Sequence, residues 1–196
     1  MGAALIVFFI GIAAMAWLPR TPEIKSSVGL SDGEFGLILV SSSLGAIISA
    51  QLLRRLTQRL GSRALLRMAQ LSMPVGVTMV GLAPNVWVLT MGLFFVGLVH
   101  AGMDIAANPQ AVVTEKLIGK KFLASLHGAW SIGVFISALV GNSLTNVMTP
   151  QLNPILLAVV AVVARVPMTE RLFAATKDEH LGIEDKNERR TPWFAT

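Results

Sequence analysis

Cysteine is absent from this chain, and so is tyrosine. Without cysteine there is no disulfide framework and no thiolate for a zinc site. The 3 histidines are scattered, so a transition-metal centre is poorly supplied with donors. Charge is scarce as well. Asp, Glu, Lys and Arg make up 14% of the 196 residues, against roughly 25% in an ordinary soluble domain. That is too little to solvate a globule of this size, which argues against a soluble enzyme. The usual catalytic signatures are missing too, with no H-E-x-x-H, no G-x-S-x-G and no G-x-x-x-x-G-K-[ST]. Neither an enzymatic activity nor a bound cofactor is expected.

What the chain does have is apolar sequence. Hydrophobic residues reach 54% and the mean hydropathy is +0.67, which excludes disorder. The apolar residues fall in runs near the ~20 residues that a membrane crossing takes. Six runs fit, at 2–18, 35–53, 64–83, 86–113, 122–148 and 154–168. Turn chemistry separates them: Pro19 and Pro22, Pro84-Asn85, and the stretch from Pro150 to Pro154. Lipid offers backbone groups no partner, so each run must be helical. The expected fold is therefore all-α, a polytopic membrane protein with a six-helix bundle over 1–168 and a polar tail over 169–196.

The net charge of +5 does not point to nucleic acid, because the positive residues sit in short loops between apolar runs. Fourteen of the sixteen Lys and Arg fall after the second, fourth and sixth runs, and only Arg20 and Lys25 on the other side. The positive-inside rule puts the fourteen in the cytoplasm, with both termini. Ala14-Met15-Ala16 resembles a signal-peptidase site, but no Lys or Arg precedes Arg20 to form the positive start of a signal. The tail mixes five basic with six acidic residues, a solvated segment, and ends in Pro192-Trp193-Phe194, which reads as the edge of a further span. A shift of 88 residues lays Gly45 on Gly133, Ile48 on Ile136 and Ser49 on Ser137, as a three-plus-three inverted repeat would.

Chemistry concentrates in the fourth run. Asp104 is an ionisable group inside an apolar helix, where it must face water or a partner. His100 lies one turn before it, Asn108 one turn after, and Glu115 eleven residues on, about three turns at 3.6 residues each. The four share one helix face. Asp104 either looks into a wet passage or pairs with His100 or His127. Pro109 removes the hydrogen bond to the Ile105 carbonyl, so a bend is expected there. In the fifth run His127, Ser131 and Asn142 form a second polar stripe. Trp130 either stacks on a solute or anchors an interface. Ser41, Gly45 and Ser49, like Gly133, Ser137 and Gly141, repeat every four residues, a ladder that lets helices approach closely.

Two segments resemble the major facilitator transporters. Arg59, Gly61 and Arg63 match the loop signature G-x-x-x-D-R-x-G-x-R between that family's second and third helices. Arg54 stands in place of its Gly and Gln58 in place of its Asp. The stretch Gly102-Met103-Asp104-Ile105-Ala106-Ala107-Asn108-Pro109-Gln110, followed by Glu115, is similar to the fourth helix of the fucose–proton symporter branch and its bacterial relatives. Trp17, Arg20 and Pro22, and the run from Ser125 to Gly133, fit the same branch. The resemblance implies alternating-access transport of a small polar solute, sugar-like and proton-coupled, in a bacterial inner membrane. It assigns solute or proton contacts to Asp104, Asn108, His127, His100, Gln110 and Trp130, and gating to Arg59, Gly61, Arg63 and Glu115. The second acid that sugar symporters carry in helix one is missing from 2–18. The family has twelve helices, so the expected partners are lipid, solute, protons, and a second half or a second copy of this chain. A transport-inactive half is the alternative.

Overall fold

The computed structural model describes residues 2–119, 123–144, 146–149 and 151–169. Lys120, Lys121 and all of the expected tail but Thr169 lie outside the described residues. Those described form helices and no strand: α1 (Gly2–Ala14), a 3-10 turn (Leu18–Arg20), α2 (Thr21–Ser27), α3 (Asp32–Gly81), α4 (Val86–Ile118), α5 (Leu123–Ser143) and α6 (Leu152–Thr169). Three stretches are long and apolar enough to cross a membrane: Asp32–Leu53, Val86–Asn108 and Ala124–Ser143. Leu152–Ala164 is apolar but shorter. The three lie on the second, fourth and fifth of the six runs expected from sequence. Two of the other runs fall on parts of helices. α1 is 13 residues long, and the run at 64–83 is the second half of α3, led by Arg63 and Arg67.

The loop expected between 53 and 64 is not a loop. The 50 residues of α3 are helical except at Gly61, with φ 78° and ψ 155°. That region of backbone space is open essentially to glycine alone. One residue therefore makes the turn. Gly45 approaches Phe94 and Leu98 of α4, while Gly76 approaches Phe95 and Val96. In a straight helix those glycines would stand about 46 Å apart at 1.5 Å per residue. The two limbs must run back alongside one another, with α4 against both.

Helix ends follow local chemistry. Ser31 and Glu34 form a reciprocal capping box at the start of α3, with Ser31 N donating to Glu34 Oε2 at 2.9 Å. Lys25 pairs with Asp32 across the same turn. Asn85, of the expected Pro84-Asn85 break, caps α4 by accepting from Val88 N at 3.0 Å. Gly119 ends α4 at φ 63°, the left-handed cap position. Between these caps α4 stays helical through Pro109.

Two tight crossings organise the bundle. A Cβ on Gly45 would collide with the Phe94 carbonyl, and one on Gly97 with the Ser42 carbonyl. The α1–α5 pair repeats the arrangement: a Cβ on Gly11 would strike the Trp130 carbonyl, and one on Gly133 the Phe8 carbonyl. The repeat seen at a shift of 88 residues thus relates two reciprocal glycine crossings. The core between the helices is aliphatic, with Ile10, Leu66, Met73, Leu89, Leu93 and Met103 buried. The outside is also apolar. Leu37 is 74% exposed and Trp87 79%, a surface that suits lipid and not water.

Candidate functional site

Helices α1, α4 and α5 meet around an open cavity of about 140 Å³. Its wall is apolar at Val7, Ile10, Ala107 and Leu126 and polar at His100, Asp104, Asn108, His127 and Trp130. The helical spacing explains the α4 contribution. His100, Asp104 and Asn108 recur every four residues, so they line up along one side of α4. Gly133 and Ser137 face α1, where Ser137 Oγ donates to the Ile12 carbonyl at 3.1 Å, while His127 and Trp130 reach the cavity.

The cavity has depth. Asp104, Asn108 and His127 are exposed, whereas His100 and Trp130 are half-buried. The His100 and Trp130 rings contact each other with centroids 6.0 Å apart. No salt bridge involves Asp104 among the described residues. Asp104 lines the open cavity. The carboxylate is the one acidic group in the wall, and no Lys or Arg joins it. Such a site favours a neutral or protonatable visitor over an anion.

Five of the six residues expected to contact solute or proton thus share one cavity. Gln110 sits on α4 two residues beyond Asn108, and its side chain lies outside the described residues. The four gating residues are elsewhere. Gly61 is the turn of α3, between exposed Arg59 and half-buried Arg63. Glu115 is half-buried near the end of α4, eleven residues past Asp104 and outside the cavity wall.

In the sequence Arg20 is a loop charge and one member of the Trp17, Arg20, Pro22 spacing. The structure buries it to 2% exposure. It pairs with Glu23 at 3.0 Å and donates to the Leu144 and Met148 carbonyls, at 3.2 and 3.0 Å, beyond the end of α5. The Leu144 carbonyl also accepts from Val147 N and Met148 N, at 3.2 and 2.9 Å, so the guanidinium adds to the bonds that close the chain after α5. Nearby, Asn153 Nδ2 donates to the Gly141 carbonyl at 2.7 Å and ties α6 to α5. The only sequence signal for this fastening was the Trp17, Arg20, Pro22 spacing.

Comparison with known proteins extends over the whole chain. Residues 3–196 match the Major Facilitator Superfamily. The uncharacterized transporter y4wD of Sinorhizobium fredii is 34% identical over 140 residues, 71% of this chain and 37% of that protein. An uncharacterized MFS-type transporter of Yersinia pestis is 30% identical over 174 residues, 89% of this chain and 44% of that protein. The membrane protein MosC of Rhizobium meliloti is 28% identical over 133 residues, 67% of this chain and 33% of that protein. The chain spans less than half the length of these relatives.

Proposed function

The chain belongs to the major facilitator superfamily, and we propose that it grips the solute in a proton-coupled secondary transporter for a small polar, sugar-like molecule. The observation that carries this reading is the cavity that unites Asp104 with Asn108, His127, His100 and Trp130. Asp104 is the proton site. Protonation removes its charge, which makes closure of a dry wall over it cheaper and shifts the protein toward the opposite-facing state. Asn108 and His127 hold the solute's polar groups, with Gln110 two residues beyond Asn108 on the same helix. Arg59, Gly61 and Arg63 form the cytoplasmic turn, and Glu115 lies near that end. The bundle crosses the inner membrane six times with both termini in the cytoplasm, following the distribution of Lys and Arg.

Uptake of labelled monosaccharides and polyols into proteoliposomes under an imposed pH gradient tests the proposal. Asp104→Asn is expected to abolish gradient-driven accumulation while leaving solute exchange in place. Undiminished, pH-dependent accumulation by the variant would remove Asp104 from the mechanism. A second reading has two copies assembling around one passage. The exposure of Asp104, Asn108 and His127 on one open side favours it. A crosslinked dimer whose formation is required for uptake would establish it, and uptake that persists in the monomer would exclude it.

A further inference from the structure

Two nitrogens in the cavity wall have nothing to bond. His100 Nε2 and Trp130 Nε1 are both buried and both without a hydrogen-bond partner. They come from different helices, α4 and α5, yet their rings lie 6.0 Å apart between centroids with planes at 49°. Trp17 provides the contrast. Its buried Nε1 donates to the Ala14 carbonyl at 3.1 Å, so that indole is satisfied within its own turn of chain. Trp130 lines the cavity, yet its buried Nε1 has no such partner. A buried donor without a partner destabilises the protein unless something fills the gap.

We infer that Trp130 and His100 form a hydroxyl-reading subsite at the deep end of the cavity, selecting an uncharged, polyhydroxylated solute. The inference rests on the cavity being the solute site. An indole N–H only donates, whereas imidazole Nε2 accepts or donates according to tautomer. A hydroxyl accepts from the indole and serves either imidazole tautomer. An ammonium group has no lone pair for the indole and leaves it unpaired. A carboxylate accepts from both nitrogens but must then share a cavity with Asp104 where no Lys or Arg compensates. A solute seated this way points one hydroxyl at the Trp130–His100 pair and its remaining polar groups at Asp104 and Asn108, with Val7, Ile10 and Leu126 against its apolar face.

The chain contains 4 tryptophans, so labelling with ¹⁵N-tryptophan in detergent micelles gives few indole resonances. That of Trp130 is identified by its loss in Trp130→Phe. Glycerol, erythritol and D-glucose are titrated as neutral probes, ethylammonium and propionate as charged ones. Calorimetry measures binding independently of the indole. A saturable shift of the Trp130 resonance by at least one polyol is expected, with neither charged probe moving it. Trp130→Phe and His100→Leu should each weaken calorimetric affinity about tenfold, the equivalent of one hydrogen bond, while His100→Gln retains it. If a polyol binds, and loses binding in Asn108→Ala, but leaves the Trp130 resonance unmoved, the subsite is wrong and the solute cavity stands. If no polyol binds by calorimetry, both fall. A shift of equal size from ethylammonium or propionate overturns the assignment of an uncharged solute.

Discussion

The two halves of α4 obey opposite rules. From Val86 to Val99 one face of the helix is packed to exclusion: Leu89 and Leu93 are fully buried, and Gly92 and Gly97 let the limbs of α3 touch its backbone. From His100 to Asn108 one face of the same helix carries polar side chains that stay exposed or half-buried around a cavity. The first half gains stability from contact that admits no added atom. The second half leaves that stability unrealised and keeps its polar groups available. A solute site of this kind needs the contrast, because unpartnered polar groups hold their positions only on a helix fixed elsewhere. Substitutions in the two halves should therefore separate stability from transport.

The sharpest break is Gly97→Leu. Its side chain has to displace the Ser42 backbone, so α3 and α4 must part. The expected cost is about 3 kcal/mol or more, read as loss of folded, extractable protein or a collapsed thermal transition. Asp104→Asn, 7 residues on, should change the transition by about 0.5 kcal/mol or less, since no ion pair is lost. Equal destabilisation by both would mean that the cavity residues are structural after all.

Next comes Gly61→Ala. The glycine holds φ 78° and ψ 155°, where a Cβ is strained whatever space surrounds it. About 2–3 kcal/mol of destabilisation is expected, with the limbs of α3 splayed. Thermal unfolding of the variant in detergent measures the loss. Arg20→Ala follows, at about 1.5–2 kcal/mol, because charge-assisted bonds to the Leu144 and Met148 carbonyls disappear. Glu23 is 38% exposed, so water takes over part of that loss. Arg20→Lys should recover only part of the stability, since one ammonium cannot span Glu23 and both carbonyls as the planar guanidinium does.

Much of this arrangement was legible beforehand. Periodicity placed the helices, Pro84-Asn85 marked the start of α4, and the spacing of His100, Asp104 and Asn108 put them on one face. The ladders Ser41, Gly45, Ser49 and Gly133, Ser137, Gly141 announced close packing. Their partners were not legible, because a glycine that receives a backbone carries no mark of which backbone arrives. Gly11 and Gly97 were thus not seen as the other halves of the two crossings. The turn at Gly61 was read as part of a loop, since sequence does not distinguish a glycine that flexes from one that makes a reversal alone. Arg20 was hidden for a similar reason. Its acceptors are main-chain carbonyls more than 120 residues away, and carbonyls have no sequence signature.

The smallest effect tests the likeness of the two crossings most finely. Ser49 and Ser137 occupy equivalent places at a shift of 88 residues, and both are fully buried. Their bonding differs. Ser137 Oγ donates to the Ile12 carbonyl at 3.1 Å across the α1–α5 crossing, while Ser49 Oγ has no partner at the α3–α4 crossing. Ser137→Ala should cost about 0.5–1 kcal/mol, the usual scale of an interhelical bond in a membrane bundle. Ser49→Ala should be neutral or slightly stabilising, because it removes a buried hydroxyl whose bonding is unmet. Paired thermal unfolding of the two variants decides the matter. A matching loss at both sites would show that Ser49 finds an acceptor when α3 and α4 shift, so the α3–α4 crossing would be the one that moves. A loss at Ser137 alone would make both crossings fixed struts and leave movement to the open side of the cavity, where Asp104 stands.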